Sequence, residues 1–156
     1  MELEKIIEIC KKSKIKDYIL GTELPLDIVN FKTSANDVNA FCEILPRIFE
    51  EGYETYLARY LTALIQRCKS RKIILNLPTP MNDVGYRLEN KKIIVNGSVG
   101  DFGFMYSRNC SIKINGGVGD YFGYIADGCL FMIIEGELGK KPLEHARNCE
   151  LKLQKI

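Results

Sequence analysis

Asn96-Gly-Ser-Val-Gly-Asp101 and Asn115-Gly-Gly-Val-Gly-Asp120 are nearly identical and stand nineteen residues apart, and their repetition decides the fold. A third pair with the same spacing, Gly136 and Gly139, follows twenty residues after Gly116 and Gly119, which themselves follow Gly97 and Gly100 by nineteen. The segments between the glycines keep the same beat. Ser107-Arg-Asn-Cys-Ser-Ile-Lys-Ile114 is echoed by Ala146-Arg-Asn-Cys-Glu-Leu-Lys-Leu153 at an offset of thirty-nine, with Asp127-Gly-Cys129 at the intermediate position. Upstream, Lys72-Ile-Ile-Leu-Asn76 recurs as Lys92-Ile-Ile-Val-Asn96 after twenty residues. Self-similarity at a fixed period of this length is the mark of a stacked repeat.

Alternation makes the stretches between glycines strands. Cys110, Ile112 and Ile114 point one way while Ser111, Lys113 and Asn115 point the other, and the last copy repeats this with Cys149, Leu151 and Leu153 against Glu150, Lys152 and Gln154. Hairpins would bring equivalent strands closer together in sequence, and a strand–helix–strand unit would need a helix where the chain has Gly, Asp and Phe. What remains is a coil of parallel strands, each turn bonded to the next about 4.8 Å away. We therefore expect an α+β chain: an N-terminal α-helical region over residues 1–70, then a short right-handed parallel β-helix of about four turns over residues 71–156.

In such a coil equivalent positions stack. Ile73, Ile93, Ile112 and Leu151 form one interior row, Leu75, Val95, Ile114 and Leu153 another, and Cys110, Cys129 and Cys149 a column of sulfurs. Asn90, Asn109, Gly128 and Asn148 take the corner before each strand, and Asn and Gly tolerate a left-handed backbone at least cost. The turn of twenty carries a surplus residue, expected as a β-bulge between Cys129 and Glu135. Leu130-Phe-Met-Ile-Ile134 is apolar throughout, so its outer face is expected to be covered by the N-terminal helices or by another subunit. Leu77 and Pro80 where glycine is due, and Lys140-Lys-Pro142 after Gly139, mark the two ends as degenerate caps.

The first seventy residues read as helices. Leu3, Ile6, Ile7 and Cys10 share one face of a helix ending near Lys12 to Lys14. Ser34 and Asp37 have the spacing of a capping box before the stripe Val38, Phe41, Cys42, Leu45, Ile48 and Phe49, with Pro46 expected to kink that helix and Gly52 to stop it. Leu57, Tyr60, Leu61, Leu64, Ile65 and Cys68 mark a third helix, from about Glu54 to Cys68. Tyr18 to Leu20 is a short extended candidate closed by Gly21, and Leu24 to Phe31 carries no clear period.

A composition 46% hydrophobic and 27% charged is that of a globular chain, and a net charge of +2 with only short basic clusters speaks against nucleic-acid binding. No apolar run approaches the ~18 residues of a membrane-spanning helix. Six cysteines without a CxxC pair, and a start at Met1 without a basic and apolar leader, read as a reduced, cytoplasmic protein.

The pattern Gly97-x-x-Gly100-Asp101, Gly116-x-x-Gly119-Asp120-Tyr-Phe-Gly123 and Gly136-x-x-Gly139, with Met105 and Tyr124 at equivalent positions, resembles a known glycine repeat. It is the repeat of the C-terminal domain of the glutamate synthase large subunit, shared by one of the subunits of formylmethanofuran dehydrogenase. The resemblance covers about residues 90–154. It implies a right-handed β-helix that holds domains or subunits together and carries no catalytic residues.

The residues able to do chemistry have plain structural readings. Linear stacking of Cys110, Cys129 and Cys149 does not give tetrahedral metal geometry, and alternation turns them inward. Asp101 and Asp120 are expected to cap each tight turn through its own backbone. His145 has no visible partner for general-base work. A Gly-x-x-Gly with no helix N-terminus after it lacks the context of a nucleotide loop. The expected function is thus a non-catalytic structural or subunit-assembly role without cofactor or metal, in a homodimer or with another subunit at the C-terminal end of the coil. The alternative is an accessory subunit of an oxidoreductase complex of either resembled type.

Overall fold

A computed structural model describes residues 3–13, 23–48 and 51–155. Three helices, α1 (Leu3–Lys12), α2 (Ala35–Ile48) and α3 (Glu54–Gln66), precede five strands, β1 (Lys72–Asn76), β2 (Lys92–Asn96), β3 (Ser111–Val118), β4 (Leu130–Leu138) and β5 (Glu150–Gln154). The strands form one sheet in sequence order with every pairing parallel. Parallel neighbours adjacent in sequence require a full circuit of chain between them, so five strands bound a solenoid of about four turns. The expected α+β architecture is the observed one.

Register follows the repeat. Ile73 pairs with Ile93, Ile93 with Ile112, Ile112 with Phe131 and Phe131 with Leu151, and the second interior row runs Leu75, Val95, Ile114, Ile133 and Leu153. Between the strands the chain turns on left-handed residues that also stack: Asn90, Asn109, Gly128 and Asn148 have φ of 59°, 51°, 66° and 53°. The asparagines at the first two corners are bonded across turns, Asn109 Nδ2 donating to Asn90 Oδ1 at 2.8 Å. The expected left-handed corner is there.

Three further columns are left-handed as well: Asp83, Phe102, Tyr121 and Lys141; Gly85, Phe104, Gly123 and Leu143; Arg87, Tyr106, Ile125 and His145. The middle column shows how the interior fills. Phe104 is fully buried with its ring over Gly85, where any Cβ would collide with it, and Leu143 seats in the same way on Gly123. Large and small residues alternate along the coil axis, so the side chains of one turn seat on the glycines of the turn before.

The surplus residue sits later than expected. Ser111 to Gly116 pair with Leu130 to Glu135 in unbroken register, and the shift falls between there and Val118 opposite Leu138. Phe131 and Ile133, both buried, lock the register of the strand's first half. Slack exists only where Gly116, Gly117 and Gly136 let backbones bend, and Glu135 takes it up at φ 55°.

The helices cap one end of the coil. Residues of α1, α2 and α3 and of the first turns share one buried cluster, and Tyr60 Oη and Tyr56 Oη of α3 bond the carbonyls of Ile6 and Cys10 of α1 at 2.8 and 3.4 Å. The capping box at α2 is reciprocal: Ser34 N–H donates to Asp37 Oδ2 at 3.0 Å and Asp37 N–H to Ser34 Oγ at 3.1 Å. Pro46 lies within α2, in its last turn, and Gly52 (φ 87°) is in the turn before α3, which ends at Gln66 rather than Cys68. Residues 24–31 form turns, held by Arg67, whose Nε and Nη2 donate to the carbonyls of Val29 and Leu26. Tyr18 to Leu20 and Phe49 lie outside the described residues.

Candidate functional site

The repeat residues that stand out in the sequence serve the stacking of turns. A Cβ on Gly97 or Gly116 would meet the carbonyl oxygen one turn back, of Leu77 and of Gly97, and one on Gly136 or Gly139 would meet the backbone of Gly116 or Gly119. On Gly100 or Gly119 it would displace the side-chain oxygen of Asn82 or Asp101. Those oxygens belong to a second ladder. Asn82 Oδ1 accepts the N–H of Asp101 at 2.7 Å, Asp101 Oδ1 that of Asp120 at 2.8 Å, and Asp120 Oδ1 that of Lys140 at 2.8 Å. The carboxylates therefore bond the next turn rather than their own, because equivalent N–H groups lie one rung away while the glycine before each leaves room for the carboxylate beneath. At Lys140 the side chain has no acceptor, and the ladder stops. A third ladder lines the outer face, Asn115 Nδ2 donating to Asn96 Oδ1 and Asn96 Nδ2 to Asn76 Oδ1, each at 2.9 Å.

The three cysteines stack as expected. Cys110 N–H reaches Cys129 Sγ at 3.5 Å and Cys129 N–H reaches Cys149 Sγ at 3.4 Å, while each thiol also bonds the carbonyl two residues back. Cys110 and Cys129 are buried and Cys149 is half-buried. The thiol of Cys110, hydrogen-bonded to Cys129 and desolvated, is pushed up, and burial raises Cys149. Cys129 is held below the usual thiol range by the Cys110 thiol first and then by Ser107, whose hydroxyl lies 3.5 Å away. Among the described residues no group of His, Cys, Asp and Glu is arranged to hold a metal ion.

His145 stands apart from the acid ladder, 3.7 Å from Glu144 and edge-on to Tyr124 at 5.9 Å, in a groove of about 450 Å³ shared with Arg87, Arg108 and Arg147. The chemistry-bearing residues are thus not brought together.

The two ends of the coil differ. At the β1 edge α2 supplies Asn39, whose Oδ1 accepts the N–H of Asn76 at 2.9 Å. α3 lies along the first turn like an extra rung: Thr62 Oγ1 accepts the N–H of Gly85 at 2.9 Å, Thr55 Oγ1 donates to Asp83, and Gln66 bonds both the N–H and the carbonyl of Glu89. Lys91 Nζ ties the same edge to the carbonyls of Cys68 and Ser70. None of these polar side chains stands out in the sequence; they fall among apolar stripes whose period says only which face is buried.

The other end, β5, has no neighbour beyond it among the described residues. Phe131 and Ile133 are fully covered by it, whereas Leu151 is half-buried and Leu153 is 62% exposed. Comparison of the chain with family models, curated proteins and solved structures finds no match. No helix among the described residues is long and apolar enough to cross a membrane. The outer face of β4 is not beneath the helices, which meet the sheet at β1. Leu130 is 37% exposed and Met132 and Ile134 are half-buried. The helices cannot reach that strand because they are engaged at the opposite end of the coil, three strands away.

Proposed function

We propose that this chain is an assembly module with no catalytic role of its own, its helices closing one end of the coil and its β5 end presented to a second protein subunit. The carrying observation is the asymmetry of the ends. Asn39, Thr62 and Gln66 bond backbone groups of the first turn, with Thr55 on the Asp83 carboxylate and Lys91 on the carbonyls of Cys68 and Ser70 beside them, whereas β5 ends the interior rows on half-buried Leu151 and exposed Leu153. An unprotected edge with apolar side chains is a template for further pairing. The carboxylates and thiols that suggest chemistry are engaged in turn-to-turn bonds, which supports a scaffold.

The test is the size of the native particle. In extract of the source cell the chain is expected to elute well above its own 17.8 kDa, and Leu153→Asp is expected to elute as the monomer with an unchanged circular dichroism spectrum. Elution of the wild-type chain as a monomer, both in extract and when purified, would overturn the proposal.

A further inference from the structure

The open edge of β5 carries its own complement. Glu150 N–H donates to Cys129 O, and successive residues of a parallel strand bond to alternate sides. Glu150, Lys152 and Gln154 therefore face β4, which leaves the N–H and C=O groups of Cys149, Leu151 and Leu153 directed at the open side. These are also the residues whose side chains continue the interior rows. Beside them Leu138, Leu143 and Ala146 are half-buried, while the charged residues of the last turn, Lys140, Lys141 and Arg147, are exposed.

A second copy can meet this edge antiparallel about a two-fold axis, and charge selects among the possible registers. Edge-facing residues must oppose edge-facing residues, which allows only alternate registers. With Leu151 and Leu153 opposed, Lys152 would face Lys152 of the second copy. With Cys149 opposite Leu151, Glu150 would face Glu150. With Leu151 on the axis, Leu151 opposes itself, Cys149 opposes Leu153, and Glu150 opposes Lys152 twice over. That last pair falls at a non-hydrogen-bonded position, where opposed side chains come closest. Like charges directly opposite destabilise a strand pair and opposite charges stabilise it. Isologous pairing of this kind is the commonest closed arrangement of identical chains.

We infer that β5 pairs antiparallel with β5 of a second copy of this chain, with Leu151 on the two-fold axis and Glu150 opposite Lys152, so that two coils join end to end through one ten-stranded sheet. This rests on the assembly reading above and names its partner. In the joined form Leu153 of each copy lies beside Cys149 of the other, and the interior rows of the two coils become continuous.

The experiment is sedimentation equilibrium of the full chain and of Glu150→Lys, Lys152→Glu and the double exchange E150K/K152E. Both positions are exposed, so circular dichroism is expected to be unchanged in all four proteins. Wild type and the double exchange are expected to be dimers. Each single variant places like charges opposite one another at two sites and is expected to raise the dissociation constant about ten- to a hundredfold. An equimolar mixture of the two single variants is expected to regain dimer, because the two carboxylates of one chain then face the two ammonium groups of the other. A purified wild-type chain that stays monomeric at 100 μM would overturn the second-copy inference; if that chain still elutes large in extract, the assembly reading stands with a different partner. Dimers equally stable in all variants would overturn the register.

Discussion

Replacing Asp120 separates a structural carboxylate from a chemical one. Its Oδ1 accepts the N–H of Lys140 at 2.8 Å, and its own N–H donates to Asp101. A hydrogen bond to a charged acceptor contributes about 1.5–3 kcal/mol in sheltered surroundings. Asp120 is half-exposed and Lys140 exposed, so water can replace much of the lost bond, and Asp120→Ala is expected to cost about 1 kcal/mol, a fall in Tm of roughly 2–4 °C for a chain of this size. Asp120→Asn keeps the accepting oxygen. At the base of the same ladder Asn82 already performs that role with a bond of 2.7 Å, so the Asn variant is expected to lose less than half as much. Urea melts followed by circular dichroism measure both. If Asn proves as damaging as Ala, the negative charge itself is what the position requires and the ladder account of Asp120 is wrong.

Other substitutions probe the remaining joints. Phe104→Ala empties the space above Gly85 and is expected to cost about 3–5 kcal/mol in the same melts, because neither neighbouring turn can collapse into the gap; a loss under about 1 kcal/mol would contradict the interlocking of turns. Thr62→Val leaves the N–H of Gly85 buried without its acceptor, for an expected loss of about 1–3 kcal/mol, and a neutral result would remove α3 as the cap of the coil. Burial is the main cause that raises the Asp83 carboxyl above its ordinary value, against the opposing hydrogen bond from Thr55. Its native state therefore holds the proton to higher pH than the unfolded chain, so the group favours folding most in acid and its cost is complete once pH has passed the native value. Asp83→Asn is accordingly expected to be more stable than wild type at about pH 7 and no more stable near pH 3; the reverse order would show that the carboxylate, not burial, dominates there. Cys110 and Cys129 are expected to resist iodoacetamide until urea unfolds the protein, with mass spectrometry locating the label, and rapid native labelling would place them outside the coil.

The coil is legible in the sequence because its determinants repeat. Each inward Ile or Leu, each corner Asn and each close-approach Gly recurs at nineteen or twenty residues, and parallel stacking turns that period directly into contacts. The Ser34 and Asp37 box is legible for the opposite reason, being wholly local. What escapes lies between these scales. Thr62, Gln66 and Asn39 cap the first turn across gaps of 23 to 37 residues, each once only, so no period announces them. The alternate left-handed residues at Asp83, Gly85 and Arg87 carry almost every kind of side chain in their columns, since stacking rather than intrinsic preference fixes their backbone. The bulge lies later than counting suggests, because a count finds the surplus residue without saying where the backbone is slack; the glycines at 116, 117 and 136 decide that. For the site, the columns of Cys110 and Asp120 are legible, but the direction of the carboxylate bonds and the contrast between capped and open ends emerge only in three dimensions.

Parallel stacking of successive turns is most directly tested by nuclear Overhauser contacts across the sheet in an isotope-labelled sample. Backbone contacts of the parallel pattern are expected to link Ile93 to Ile112, Ile112 to Phe131 and Phe131 to Leu151. Strong contacts between opposed α-protons of β2 and β3 or of β3 and β4, the signature of antiparallel strands, or the absence of any contact between Ile112 and Phe131, would contradict it.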